Sequence, residues 1–329
     1  MRPFKYVRAS DPAAAARAVA ANPHAKFLAG GTNILDLMKE DVERPSELVD
    51  LTRLKLAEIK AARAGGVSIG ALAKNTDTAN HPLIRRNYPL LTQAIVAGAS
   101  GQLRNMATNG GNLMQRTRCQ YFYDTAMPCN KREPGTGCGA LEGLNRIHAI
   151  FGWSDKCVAT YPGDMANALY ALDATVRVRN AAGRERAIPV DEFHRLPGDA
   201  PERDTNLGHG ELIVAIDLPK SSFAKNSYYL KVRDRASYAF ALVAVAAAVE
   251  LDRGRIGQAR VVLGGVAHKP WRSLEAESAL TGKPASQETF ERAAEAALRE
   301  AKPLAHNAYK VELGKRAVVR ALMRASRLA

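Results

Sequence analysis

Residues 98–164 read GASGQLRNMATNGGNLMQRTRCQYFYDTAMPCNKREPGTGCGALEGLNRIHAIFGWSDKCVATYPGD, and they hold all four cysteines of the 329-residue chain. Cys119, Cys129, Cys138 and Cys157 are spaced Cys-x9-Cys-x8-Cys-x18-Cys. Pro128, Pro134, Gly135, Gly137 and Gly139 interrupt the stretch, so no long helix or strand crosses it. A loop this long is uncommon in a compact domain unless something holds it. One iron–sulfur cluster takes four thiolates and would fix the loop at four points. Structural zinc sites bring cysteines in pairs two to four residues apart, and no such pair exists here. Two disulfides would suit an oxidising compartment, and four unrelated buried thiols need no partner. The spacing favours a cluster, with zinc, disulfides and unrelated thiols as its alternatives.

Arg116, Arg118, Lys131 and Arg132 flank the first two cysteines, against Asp124 and Glu133. Cations beside a net-negative cluster would stabilise it and raise its potential; a solvated basic loop in a basic protein accounts for them nearly as well. His148 is either a further candidate ligand or a surface histidine, and the surface is the expectation. The few apolar anchors of the loop are Tyr121, Phe122, Tyr123, Leu141 and Leu144.

Outward from the cysteines, two glycine pairs stand out. Thr108-Asn109-Gly110-Gly111-Asn112 precedes them, and Lys26-Phe27-Leu28-Ala29-Gly30-Gly31-Thr32-Asn33-Ile34-Leu35-Asp36-Leu37-Met38 lies near the N-terminus. The second pattern predicts a short strand, a tight turn and the start of an apolar-faced helix. Paired glycines let backbone N–H groups approach a phosphate closely, and a helix start favours negative charge. Each turn alone can be a simple tight turn; two of them suit two sides of one pyrophosphate. Neither is the Gly-x-Gly-x-x-Gly of a Rossmann unit.

Further elements are expected as follows. Ser10 caps a helix over 11–21, with Pro12 in its first turn. Strands span 48–51, 67–71, 158–161, 175–179, 212–218 and 228–232, then 241–251 and 259–266. Helices span 90–97, 164–172 with Asp164 as N-cap, 287–301 and 310–326. Pro219 and Ser221-Ser222 mark a domain boundary. The seven histidines are scattered, and no catalytic triad, carboxylate pair or hydrolase metal motif is present.

Composition excludes other classes. With 47% hydrophobic and 24% charged residues, the chain is an ordinary globular one, long enough for two or three domains. The longest apolar stretch, 238–249, is too short to span a bilayer. The N-terminal MRPFKYVRASDP lacks the apolar core of a signal peptide, so no export address is expected in this chain. The net charge of +14 is spread along the sequence, and 6% aromatics are few for base stacking. An acidic partner subunit or electron-transfer protein accounts for the charge without nucleic acid.

Over nearly its whole length the chain resembles the FAD-binding medium subunits of the molybdenum hydroxylases, the xanthine dehydrogenase family. The carrying motifs are Phe-Leu-Ala-Gly-Gly-Thr-Asn at 27–33, Ala-Thr-Asn-Gly-Gly-Asn-Leu at 107–113 and Lys-Val-Arg-Asp-Arg-Ala-Ser-Tyr-Ala-Phe-Ala at 231–241. The sharpest are Arg-Cys-x-Tyr-Phe-Tyr-Asp at 118–124 and Pro-Cys-Asn-Lys-Arg at 128–132, which resemble the subunits of bacterial periplasmic aldehyde oxidoreductases with an additional [4Fe–4S] cluster.

The resemblance implies an α+β fold. A vanillyl-alcohol-oxidase (PCMH) type FAD-binding domain would cover 1–220, in subdomains of about 1–55 and 56–220 with the iron–sulfur loop at 115–157. A CO dehydrogenase flavoprotein-type α+β domain would cover 225–329. It also implies that Lys26, Phe27, Leu28, Ala29, Gly30, Gly31, Thr32, Asn33 and Ile34 wrap the FAD pyrophosphate. Ala99, Thr108, Gly111 and Asn112 would take its other side, with Asp164, Ile213 and Lys231 as further contacts; Gly163 stands where the family has a serine before the aspartate. Cys119, Cys129, Cys138 and Cys157 would ligate the [4Fe–4S] cluster, and no residue would be catalytic in the acid–base sense.

The implied function is electron transfer in a heterotrimeric, molybdenum-dependent aldehyde oxidoreductase. A large subunit would bind the molybdopterin cofactor, a small one [2Fe–2S] clusters, and an external acceptor would take electrons from FAD. The flavin subunit of a related xanthine dehydrogenase or hydroxybenzoyl-CoA reductase is the alternative within the family. Co-export to the periplasm with a signal-bearing partner is the expected location, the cytoplasm its alternative.

Overall fold

A computed structural model describes residues 1–62 and 65–328. The N-terminal part is β1 (Lys5–Arg8), α1 (Pro12–Ala20), β2 (Ala25–Leu28), α2 (Ile34–Lys39) and β3 (Glu47–Asp50). Its strands form a parallel sheet ordered β1-β3-β2, which Ala15 and Val19 of α1 cover. Asp11, not Ser10, caps α1: its carboxylate accepts from Ala14 N at 2.8 Å, while the Ser10 hydroxyl donates to that carboxylate.

Next come β4 (Ile59–Ala61), β5 (Val67–Gly70), α3 (Asn75–Asn80), α4 (Pro82–Asn87), α5 (Pro89–Ala97), α6 (Gly101–Met106), α7 (Asn109–Leu113) and α8 (Gln120–Tyr123). After the cysteine loop follow α9 (Asp164–Ala171), β6 (Thr175–Arg179), β7 (Glu185–Pro189), α10 (Val190–Phe193) and β8 (Leu212–Leu218). The five strands form an antiparallel sheet ordered β4-β5-β8-β6-β7. Residues 158–161 are not a strand. Their backbone partners are loops: Ala149 N donates to Val158 O, and Tyr161 N donates to Ala267 O.

The last part is β9 (Ser227–Val232), β10 (Val243–Asp252), β11 (Arg255–Gly264), β12 (Trp271–Arg272), α11 (Leu274–Leu280), α12 (Gln287–Leu298) and α13 (Tyr309–Ala325). Its sheet runs β12-β11-β10-β9. β10 reads as an unbroken apolar run because both faces are buried: Val243, Val245 and Val249 face α11–α13, while Ala244, Ala246 and Ala248 join the core shared with α5 and α9. Each fully buried valine contributes roughly 1.5–3 kcal/mol.

Turns dominate the cysteine loop, and polar side chains serve its backbone. The Asn130 carbonyl oxygen accepts from Gly135 N and Gly137 N, and its amide donates to Lys156 O at 3.0 Å. Arg132 donates to the carbonyls of Tyr121 and Phe122 at 2.8 and 2.9 Å. Phe122 and Ala140 are buried, but Leu144 is 67% exposed and anchors nothing; it lies where Tyr121 OH accepts from its backbone N–H. Where the loop meets α13, Lys310 Nζ donates to Ile147 O, His148 O and Gly265 O at 3.0, 2.9 and 2.8 Å.

Lys310→Met keeps the apolar stem but removes three hydrogen bonds to backbone carbonyls, of which His148 O keeps its bond from Asn307, so denaturant unfolding should show a loss on the order of 1–3 kcal/mol. Burial pushes the Lys310 ammonium down to about 7, whereas the unfolded chain holds that proton to about pH 10. Unfolding therefore takes up a proton in that window, and the wild type should gain stability from pH 7 to 10 while the variant does not.

Candidate functional site

The two glycine turns meet. A Cβ on Gly30 would lie 2.1 Å from Met106 O, which no side chain tolerates, and Gly31 has φ +73°. The joined turns divide a cleft into two lobes of about 340 and 870 Å³, and Gly31, Thr32, Asn33 and Gly111 line both. Lys26, Phe27, Ala29, Gly30, Ile34, Thr108 and Ile213 line the first lobe. Ala99, Asn112, Asp164 and Lys231 line the second. Leu28 lines neither; its carbonyl accepts from Leu51 N behind the turn. The sequence signal missed a strap at residues 202–212, where Glu202, Asp204, Thr205 and Leu207 close the first lobe.

These turns suit an anionic linker between two larger groups. α2 has six residues and α7 five, so each offers turn N–H groups rather than a long dipole. Thr108 Oγ1 accepts from Gly111 N at 3.2 Å and shapes the second turn. Asn33 Oδ1 accepts from Arg116 N at 2.9 Å, whereas its buried Nδ2 has no protein partner. A buried donor without an acceptor costs about 1–3 kcal/mol, which a phosphate oxygen at this turn would recover.

In the second lobe Asp164 is the first residue of α9, and Gly163 takes the cap position. The Asp164 carboxylate accepts from Tyr229 OH at 2.7 Å and from Lys231 Nζ at 2.8 Å, which fixes β9 against α9. A Cβ at residue 163 would lie 2.4 Å from the Tyr161 ring, so a serine there requires the ring to move. Ala99 (φ +51°) and Tyr238 (φ +50°) line the same lobe in left-handed backbone that disfavours both residue types.

An ion network forms part of the wall of the first lobe. Arg116 pairs with Glu43 and Asp204 at 2.7 Å each, and Lys131 Nζ pairs with Asp204 at 2.6 Å and donates to Pro201 O. It joins the small parallel-sheet subdomain, the cysteine loop and the strap. Burial would raise the Asp204 pKa, but Lys131 and Arg116 hold the carboxyl well below the usual range. Arg118 is held by Tyr123 and Asp36, and Arg132 by loop carbonyls. Arg116, Arg118 and Arg132 thus brace the loop, whereas Lys131 also lines the thiol cavity and favours the Cys157 thiolate, as the electrostatic expectation had it for that residue.

Cys119, Cys129, Cys138 and Cys157 line one cavity, and all four are free thiols. Burial pushes Cys119 up to about 12. The Cys157 thiol hydrogen-bonds to Cys138, which lowers the pKa of Cys138 and raises that of Cys157. His148 is buried, not on the surface, with Nε2 3.1 Å from Cys119 Sγ. His268, which no spacing in the sequence marks, has Nε2 3.2 Å from Cys157 Sγ. Among the described residues, no three His, Cys, Asp or Glu side chains are grouped to hold one metal ion. Four thiols match in kind and number the ligands that one iron–sulfur cluster takes, and a cluster core spreads its ligands wider than a single ion does. The space the closed thiols enclose is only about 10 Å³. It is therefore the donor chemistry that fits, not the enclosed volume. A third cavity of about 220 Å³ touches Cys119 and His148 on one side and Asp164 on the other, so it lies between thiols and second lobe.

The sequence model described as "FAD binding domain in molybdopterin dehydrogenase" matches residues 2–221, and the "CO dehydrogenase flavoprotein C-terminal domain" matches 228–325. The chain is 50% identical over 326 residues to the aldehyde oxidoreductase FAD-binding subunit PaoB of Escherichia coli (strain K12), covering 99% of each. It is 28% identical to the glyceraldehyde dehydrogenase medium chain of Sulfolobus acidocaldarius, covering 85% of this chain and 82% of the other. In fold it matches quinoline 2-oxidoreductase from Pseudomonas putida 86 with a TM-score of 0.77 at 23% identity, over 100% of this chain and 98% of that one.

Asp204→Asn leaves the buried Lys131 without its carboxylate and the partly buried Arg116 with Glu43 alone, and should cost on the order of 3 kcal/mol in denaturant unfolding at pH 7. Because the folded-state pKa is depressed, the contribution is present above the unfolded value of about 3.9 and is lost as pH falls below it. The variant should therefore show a shallower acid limb than the wild type.

Proposed function

The chain belongs to the FAD-binding medium subunits of the molybdenum hydroxylases and is an oxidoreductase subunit; from that premise we propose that it carries FAD and one [4Fe–4S] cluster within a heterotrimeric aldehyde oxidoreductase. The observation that carries the flavin assignment is the contact of the two glycine turns, with the unpartnered Asn33 donor between the lobes. Identity favours an aldehyde-oxidising complex over a xanthine dehydrogenase: 50% to the aldehyde oxidoreductase subunit, against 28% to a putative xanthine dehydrogenase FAD-binding subunit.

In this proposal the turns at Gly30–Asn33 and Thr108–Asn112 hold the pyrophosphate, and the lobes take the two ends of the dinucleotide. Ile213 gives the first lobe an apolar wall. Lys231 and Asp164 neutralise each other in the second, whose remaining charged lining, Lys39, Arg104, Arg118 and Arg235 against Asp36 and Asp234, is net positive. Cys119, Cys129, Cys138 and Cys157 hold the cluster and fix the loop, whose backbone otherwise costs roughly 1–2 kcal/mol per residue to order. When bound, these groups supply the electron transfer that links a molybdenum centre in a large subunit, through [2Fe–2S] clusters of a small subunit, to an external acceptor. The acid–base chemistry on the aldehyde belongs to the large subunit. The spread positive charge favours association with acidic partner surfaces.

Acid-released flavin should be close to one FAD per wild-type chain, and the chain should co-purify with a molybdopterin-binding and a [2Fe–2S] subunit. Gly30→Ala should weaken FAD binding by tenfold or more, about 1.4 kcal/mol, with circular dichroism reporting retained fold. Cys129→Ser should lose iron and brown absorbance yet keep flavin. A folded wild type without flavin, or one holding zinc in place of iron, contradicts the proposal.

A further inference from the structure

Two histidines reach the thiol cavity from different parts of the fold. His148 comes from the cysteine loop and His268 from the turn after β11, and both are buried. His148 Nε2 lies 3.1 Å from Cys119 Sγ, and His268 Nε2 lies 3.2 Å from Cys157 Sγ. Their mounts are rigid. Asn307 and Lys310 both donate to His148 O, and His148 N donates to Asn145 O. The turn carrying His268 is pinned through Ala267 O, which accepts from Tyr161 N, and Val266 O, which accepts from Ile150 N and Phe151 N.

The other ring nitrogen decides the chemistry. Nδ1 of both histidines is buried without any partner. A neutral imidazole carries one N–H and one bare nitrogen, and the proton sits where an acceptor waits. An iron-bound thiolate accepts and cannot donate, so on each ring the sulfur side calls for Nε2–H.

Resting on the cluster proposed above, we infer that His148 and His268 are N–H donors to the sulfurs of Cys119 and Cys157 and raise the reduction potential of that cluster. A donor to a ligand sulfur stabilises the more electron-rich state, because reduction adds negative charge to the sulfurs. The two donors serve separate ligands, so their effects should add. Neither ring ligates iron; they are positioning residues that tune the cluster through its cysteines.

The test is an EPR-monitored redox titration of the complete complex, with iron counted per chain. His148→Phe and His268→Phe should each retain iron and lower the midpoint potential, and the double variant should lower it by about the sum. His→Gln at either position keeps an amide N–H within reach of the sulfur and should restore most of the shift. Should a Phe variant lose its cluster, pulsed EPR of wild type with ¹⁵N-labelled histidine decides. Weak coupling of the reduced cluster to two imidazole nitrogens is expected. Unchanged potentials at full iron content, Gln variants that behave like Phe, or no ¹⁵N coupling would overturn the inference. Wild type without iron would overturn the cluster reading itself, and this inference with it.

Discussion

The constraint on which the rest depends is the approach of two backbones, Gly30 against the carbonyl of Met106. It brings the turn after β2 onto the segment joining α6 to α7, and so sets the small parallel-sheet subdomain against the five-stranded one. Both lobes exist because these chains touch and their flanks do not. A single methyl group at residue 30 would push them apart. The cleft therefore rests on the absence of side chain at one position rather than on any strong attraction.

The subdomains are held in that register by charge and hydrogen bonds instead. Arg116 reaches Glu43 on one side and Asp204 on the other, while Lys131 carries the same network into the cysteine loop. Such a network fixes the mutual orientation of its members, and removing any one of them leaves the others without a partner, which suits a junction of segments distant in sequence. Lys310 plays the matching part towards the C-terminal helices. The cysteine loop is thus bolted to both halves of the molecule, and the thiol cavity sits where its position is most tightly fixed.

Much of this was legible in the sequence. The glycine pairs announced both turns, the strand expected at 175–179 has the bounds of β6, and cysteine spacing pointed to one shared site. Other features leave no local trace. Val158–Tyr161 is apolar enough for a strand, yet its hydrogen bonds go to loops, which only tertiary packing decides. Ala99 occupies a left-handed backbone that sequence would assign to glycine. Asp204 and His268 matter through partners 73 and 111 residues away, and the carbonyl of the buried His148 accepts from Asn307 and Lys310, far along the chain. Charge counting placed the loop cations beside the thiols; Lys131 is there, but Arg116 and Arg118 are claimed by carboxylates far off in sequence and Arg132 by loop carbonyls.

The claim that two turns clasp one pyrophosphate is tested most directly by amide hydrogen exchange of the full chain with and without FAD. Their N–H groups are the proposed donors, so residues 26–34 and 105–114 should slow together on loading, with the strap at 202–212 following. Protection confined to one turn, or appearing elsewhere while both turns exchange unchanged, would contradict the account.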